Sequence, residues 1–181
     1  MPAAENQRLV YRDKFRSLHC EVFQSWFEEL AHALHPVGDF QAIRKTQGDG
    51  GLDGFVISSQ LVYAVYAPGR REEDRDSETA AKIRSDFATA RSSLQGQLKA
   101  WVFVHNHPEG KLGQLGAKAV NKLKSQNPSV EIAVLNIDGL WEKLAGLLDE
   151  TLKRFFGGKD AGATSAGGIH EADCNDSCPS W

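Results

Sequence analysis

Two acids set among glycines, Asp49 and Asp53 in Gly48-Asp49-Gly50-Gly51-Leu52-Asp53-Gly54, have types and spacing that suit metal chemistry. Hard divalent cations take carboxylate oxygens, and Gly50 and Gly51, lacking Cβ, would let a phosphate backbone come close. The same pattern also suits a tight turn in which the acids only shape the backbone. Further along, Val104-His105-Asn106-His107-Pro108-Glu109-Gly110 offers two imidazoles on an extended segment, which could share a zinc ion or simply end a strand in a polar loop. Lys111, Lys118, Lys122 and Lys124 follow, with no acid between Glu109 and Glu131. On a helix Lys118 and Lys122 share a face, giving either a stripe for phosphates or a solvated surface. Near the end, His170, Cys174 and Cys178 have metal-like spacing but lie in a short acidic segment.

These groups need elements to position them. Tyr11, Phe15, Leu18, Val22, Trp26, Leu30 and Leu34 recur at three- and four-residue steps, which predicts one long amphipathic helix from about Leu9 to Leu34. Extended segments are expected over 39–46, 53–58 and 61–67, the last two forming a hairpin through Ser59-Gln60. A second helix begins near Ser77, with Ala80, Ile83, Phe87, Ala90, Leu94 and Leu98 on its packed side and Lys82, Arg84, Asp86 and Arg91 on other faces. Ala100–His105 (AWVFVH) reads as a strand covered on both faces. A helix over 112–124, a strand over 130–137 and a last helix capped by Asp138 and running to Phe156 complete the order. That order, α-β-β-β-α-β-α-β-α, predicts an α/β fold: a three-layer α/β/α sandwich around a mixed central sheet. Residues 1–156 form the domain. Residues 157–181, with Gly, Ala or Ser at 12 of 25 positions and no apolar periodicity, are expected to be a disordered tail.

The 181 residues suffice for one such domain, with 41% hydrophobic and 25% charged residues matching a soluble globular chain. Lys+Arg number 21 against 24 Asp+Glu, so no global basic excess announces nucleic-acid binding, and any basic patch must be local. No apolar run approaches a membrane span, and the opening MPAAENQRLVYRDKF carries charge where a signal peptide needs an apolar stretch. Three cysteines, Cys20, Cys174 and Cys178, are too few and too scattered for a disulfide framework. A cytoplasmic protein with no membrane partner is expected.

Together, GDGGLDG at the start of a hairpin, a long helix before it and an α-β half after it resemble the Mrr-type branch of the PD-(D/E)xK restriction-endonuclease fold over residues 10–137. The resemblance implies that Asp53 binds a catalytic metal, Mg²⁺ being the expected ion, and that the next strand carries Glu or Gln, one residue, then Lys. Here that strand reads Tyr63-Ala64-Val65-Tyr66, so Ala64 stands for the acid and Tyr66 for the lysine. A methyl does not ligate metal, and a phenol is uncharged at neutral pH. Asp49 as second ligand, Lys45 as a migrated cation and Glu21 from the first helix are the candidate replacements. VYAVYAP with the later WVFVHN also resembles small restriction-fold domains of bacterial defence and mobile-element clusters. The leading expectation is a restriction-endonuclease-like domain with a degenerate centre, binding nucleic acid, with DNA favoured, or a protein partner of an anti-phage system. The alternatives are an active metal-dependent nuclease and a non-catalytic structural subunit using Tyr63, Tyr66 and Trp101 in its core or at an interface. A third is a zinc hydrolase, because HNHP resembles the HxHP core of JAMM metalloproteases. That family continues with a Ser, two residues and an Asp, where this chain has Lys111-Leu112-Gly113-Gln114.

Overall fold

The computed structural model describes residues 2–43, 52–68, 76–107 and 110–147. Its elements run α1 (Pro2–Ser17), α2 (Cys20–Leu34), β1 (Phe40–Ala42), β2 (Gly54–Val56), β3 (Leu61–Tyr66), α3 (Asp76–Ser93), β4 (Ala100–His105), α4 (Gln114–Gln126), β5 (Glu131–Leu135) and α5 (Ile137–Leu144). The strands form one mixed, open sheet in sequential order: β1, β2 and β3 are antiparallel, while β3, β4 and β5 are parallel. Antiparallel neighbours need only tight turns, as at Ile57–Gln60, whereas each parallel step needs a crossover, supplied here by α3 and then α4.

Strand alternation sorts the core. Val62 and Ala64 of β3 and Trp101 and Phe103 of β4 pack with Ile83, Phe87, Ala119 and Val120 of α3 and α4. Tyr63 and Val65, with Val102 and Val104, pack instead with Phe15, Phe23, Trp26, Leu30 and Leu140 of α1, α2 and α5. Successive side chains point to opposite faces of a pleated strand, so each strand feeds both clusters. Helices therefore cover both sides of the sheet. Among the described residues no helix is long and apolar enough to cross a membrane.

The single long first helix of the sequence reading is corrected: it is two helices, broken at Leu18-His19. His19 is extended, and Cys20 takes a left-handed φ of 49°, uncommon for a residue with Cβ. A helix break exposes backbone groups, and the sheet supplies their partners. The Cys20 N–H donates to Ala67 O at 3.1 Å, and Asn106 Nδ2 donates to Leu18 O. The break also rephases the apolar stripe, burying Phe23 and leaving Val22 half exposed.

Smaller corrections have equally local causes. Asn136, not Asp138, caps α5, accepting from the Gly139 N–H at 3.0 Å. Asp138 lies in the first turn instead, 3.2 and 3.5 Å from the guanidinium groups of Arg8 and Arg12. α4 starts at Gln114 rather than 112, because the Asp76 carboxylate accepts from the N–H groups of Leu115 at 2.6 Å and Gly116 at 2.7 Å. The carboxylate capping this helix thus comes from the start of another. Residues 148–156 of the expected last helix and the expected tail lie outside the described residues.

Gly54 shows how closely the β2–β3 hairpin is fitted against β1. A Cβ there would stand 2.4 Å from Cε2 of Phe40, a buried ring in the α1/α2/α5 cluster. Gly54→Ala is expected to destabilise the protein by about 1–3 kcal/mol through overpacking. Urea unfolding checks this, and in a Phe40→Leu background, where the ring is gone, the cost of the same substitution should shrink.

Candidate functional site

Asp53 sits immediately before β2 and is tied to its neighbours on both sides. Its N–H donates to Tyr63 O at 3.0 Å, its carbonyl accepts from the Ile43 N–H at 3.2 Å, and its Oδ2 accepts from the Val65 N–H at 2.6 Å. Gly54 pairs with Tyr63, so Asp53 stands opposite Ala64 and shares its face, the one covered by α3 and α4. Tyr66, two residues on, points to the same side, half-buried against the rings of Phe103 and His107. The strand position expected to hold an acid therefore presents a buried methyl beside Asp53, and the lysine position presents a phenol.

A carboxylate that sequence reasoning had assigned to an outer face completes this neighbourhood. Asp86 lies on the buried side of α3 with Thr79, Ile83, Phe87 and Ala90 and is fully inaccessible. Its Oδ1 pairs with Lys82 Nζ at 2.9 Å, one helical turn away, while its Oδ2 is buried with no hydrogen-bond partner. Burial pushes the Asp86 carboxyl up to about 6; Lys82 pulls it back and the charge of Asp53 pushes it further. Its spacing was the available signal: Thr79, Ile83, Asp86 and Ala90 follow the three- and four-residue steps of the packed side.

Other candidates fall elsewhere. Glu21 is exposed in the first turn of α2, across the sheet from the face that Asp53 and Asp86 share. Lys45, Asp49, Gly50 and Gly51 lie outside the described residues. Lys111 precedes α4 rather than riding on it, whereas Lys118 and Lys122 are exposed on α4 one turn apart.

The histidine pair is a packed polar cluster at the end of β4. The rings of His105 and His107 are 5.0 Å apart, the His107 N–H donates to His105 Nδ1 at 3.3 Å, and His107 Nε2 lies 3.0 Å from Thr79 Oγ1. Burial pushes His105 down to about 3, with His107 lowering it further. His107 is also lowered by burial, while Asp76 opposes the shift. Both rings are thus neutral near pH 7. Among the described residues no three or more His, Cys, Asp or Glu side chains gather into a metal-binding group.

Comparison with protein-family models, with curated proteins and with solved structures gives no match. Asp53 and Asp86 present hard oxygen donors to one face of the sheet, and Mg²⁺ commonly takes one or two carboxylates and fills its shell with water or phosphate oxygens. The unpartnered Oδ2 of Asp86 fits that demand.

The pH dependence of stability follows from the raised carboxyl. The native state holds the Asp86 proton more tightly than the unfolded chain, so stability falls as pH rises from the unfolded value near 3.8 through about 6, and the penalty is complete above that. In EDTA at pH 8, Asp86→Asn should exceed the wild type in stability by about 3 kcal/mol, an order-of-magnitude figure from the shift. Urea unfolding at pH 4, 6 and 8 should show that advantage disappearing towards pH 4.

Proposed function

We propose that the chain is a restriction-endonuclease-like domain, with helical layers on either side of its sheet as in an α/β/α sandwich, that binds nucleic acid across the outer face of α3 and α4. The observation that carries this reading is the charge of that face. α3 and α4 expose Arg84, Arg91, Lys118, Lys122 and Lys124 against a single exposed acid, Glu78. The net charge of -3 hides this local excess. A groove of about 680 Å³ runs between the C-terminal halves of α3 and α4, with Arg84, Arg91, Ser92, Gln126 and Asn127 along it. Arg91 donates to Asn127 Oδ1, which fixes one guanidinium at the groove wall. A fixed guanidinium with amide donors, and exposed lysines on the same pair of helices, suit a phosphate backbone, with lysines supplying charge and Arg the directed hydrogen bonds.

Binding rather than cleavage is the primary activity in this reading, because Ala64 offers no ligand and Tyr66 no charge where the family pattern has both. A role in a cytoplasmic defence or mobile-element system, with DNA the favoured nucleic acid, rests on the sequence resemblance alone. Metal-dependent phosphodiester hydrolysis is a second reading, favoured by the Lys82–Asp86 pair beside Asp53. There the two carboxylates would hold Mg²⁺, which would polarise a phosphate oxygen and activate water, and Lys82 would add positive charge.

Fluorescence anisotropy with labelled single- and double-stranded DNA and RNA across a salt series tests the binding reading. The wild type should bind with an affinity that falls as salt rises, and Lys118→Ala with Lys122→Ala should weaken binding and flatten the log–log salt slope by roughly one to two. Absence of salt-dependent binding to all four would move the assignment to a protein-interaction subunit. Cleavage in the same tubes with Mg²⁺, abolished by Asp53→Ala, would establish the hydrolytic reading instead.

A further inference from the structure

We propose that a recess at the C-terminal ends of α3 and α4 takes one unpaired guanine, turned out of a strand whose phosphates lie along the cationic groove beside it. For the polymer this rests on the nucleic-acid reading above, but the recess is tested separately with a mononucleotide, which needs no polymer binding.

Two cavities meet at this end of the helices. The groove of about 680 Å³ has Phe87, Ala88 and Leu123 in its lining beside Arg84 and Arg91. A smaller recess of about 150 Å³ is walled by Leu98, Pro128 and Val130, with Gly96 at its edge. Arg91, Gln126 and Asn127 line both, so the two spaces open on the same guanidinium. Phosphate alone needs no apolar wall. Apolar surface, a few directed polar groups and cationic charge suit a ligand with a flat ring, a hydrogen-bonding edge and an anionic group. A nucleotide has all three. Gly96 takes a left-handed φ of 88°, and a Cβ there would meet nothing within 4 Å, so no side chain bars the mouth of the recess beside it.

The local field sorts the parts of that ligand. α3 ends at Ser93 and α4 at Gln126, so both helices direct the partial negative charge of their C-termini at the recess. A phosphate is disfavoured there and better placed beside Arg84, about two turns back along α3. A base is neutral, and its N–H groups are drawn to the same carbonyl ends. Arg91 then selects among bases. Its Nη1 donates to Asn127 Oδ1, and Asn127 is itself held by Nδ2 donating to Leu123 O at 2.8 Å. The guanidinium is thus fixed, and its Nε–Nη2 edge offers two parallel donors to a ligand. Guanine presents two acceptors, O6 and N7, on one edge, which match those donors, and its N1–H and amino group remain for the helix carbonyls. In a duplex cytosine occupies that second edge, so the base that enters must be unpaired.

The test is titration of the ¹⁵N-labelled full chain with GMP, AMP, CMP and UMP, followed by amide chemical shifts. Anisotropy on a guanine-containing DNA strand, alone and annealed to its complement, runs alongside. GMP is expected to shift the amides of Gly96, Gln126, Asn127 and Val130 saturably, and to bind about tenfold more tightly than the other three. The single strand is expected to bind more tightly than its duplex. Arg91→Lys keeps the charge but loses the two-donor edge, so it should abolish the preference for GMP while leaving the salt slope of polymer binding unchanged. Ser129→Trp, at an exposed position in the lining, should fill the recess and remove GMP binding, and thermal melts will report that both variants fold. Equal binding of all four mononucleotides, shifts confined to other residues, or a duplex bound as tightly as the single strand would overturn the recess. Salt-dependent polymer binding with these amides unmoved would overturn it too, while leaving the nucleic-acid face in place. Saturable GMP shifts without polymer binding would support the recess and remove the face.

Discussion

The central pair of strands has no face to give to water. Val62 to Val65 of β3 and Trp101 to Val104 of β4 are all buried, on both sides of the pleat. Helices must cover both surfaces, and the chain order decides which: the parallel steps draw α3 and α4 to one side, while α1 and α2, made before the sheet, and α5, made after it, take the other. This double burial sets the terms for every polar group nearby. A carboxylate under α3 lies in a medium that penalises its charge, so its partners and empty oxygen have consequences that a surface acid would lack.

Much of this architecture was legible in the residues. The apolar run of AWVFVH announced a strand covered on both faces, and the three- and four-residue steps of Ile83, Phe87 and Ala90 announced the packed side of α3. The hairpin joining β2 to β3 was equally plain, because two β-branched, aromatic-rich runs flank a short polar connection. What escaped was determined at a distance. Nothing local in Leu18-His19 stops a helix; the break exists because Ala67 and Asn106 offer its backbone groups hydrogen bonds from the ends of β3 and β4. The α4 cap was hidden for the same reason, since its carboxylate comes from Asp76.

The site was half legible. Asp53 could be picked out because an acid beside glycines at a strand entry is a conspicuous pattern, whereas its position opposite Ala64 follows only from the pairing of β2 with β3. Asp86 was passed over because a periodicity argument places charged residues on the solvent side by default. That default fails where a helix buries a charge, which makes a charged residue in phase with an apolar stripe worth more attention than one out of phase. The Lys118–Lys122 stripe was visible as a run of cations, but its continuation through Arg84 and Arg91 depends on α3 and α4 lying side by side.

The junction between α1 and α2 also bears on how the chain reaches its native state. Leu18 and Asn106 are separated by 88 positions, and Cys20 meets Ala67 across another long interval. While the ribosome has delivered only the first two helices, neither acceptor nor donor exists for the break, and local propensity favours a continuous rod. The bend and the left-handed Cys20 are then late events, imposed when β3 and β4 pair. The Cys20 amide thus becomes a natural sensor of topology: its protection from hydrogen exchange would report closure of the sheet rather than formation of the helix that contains it.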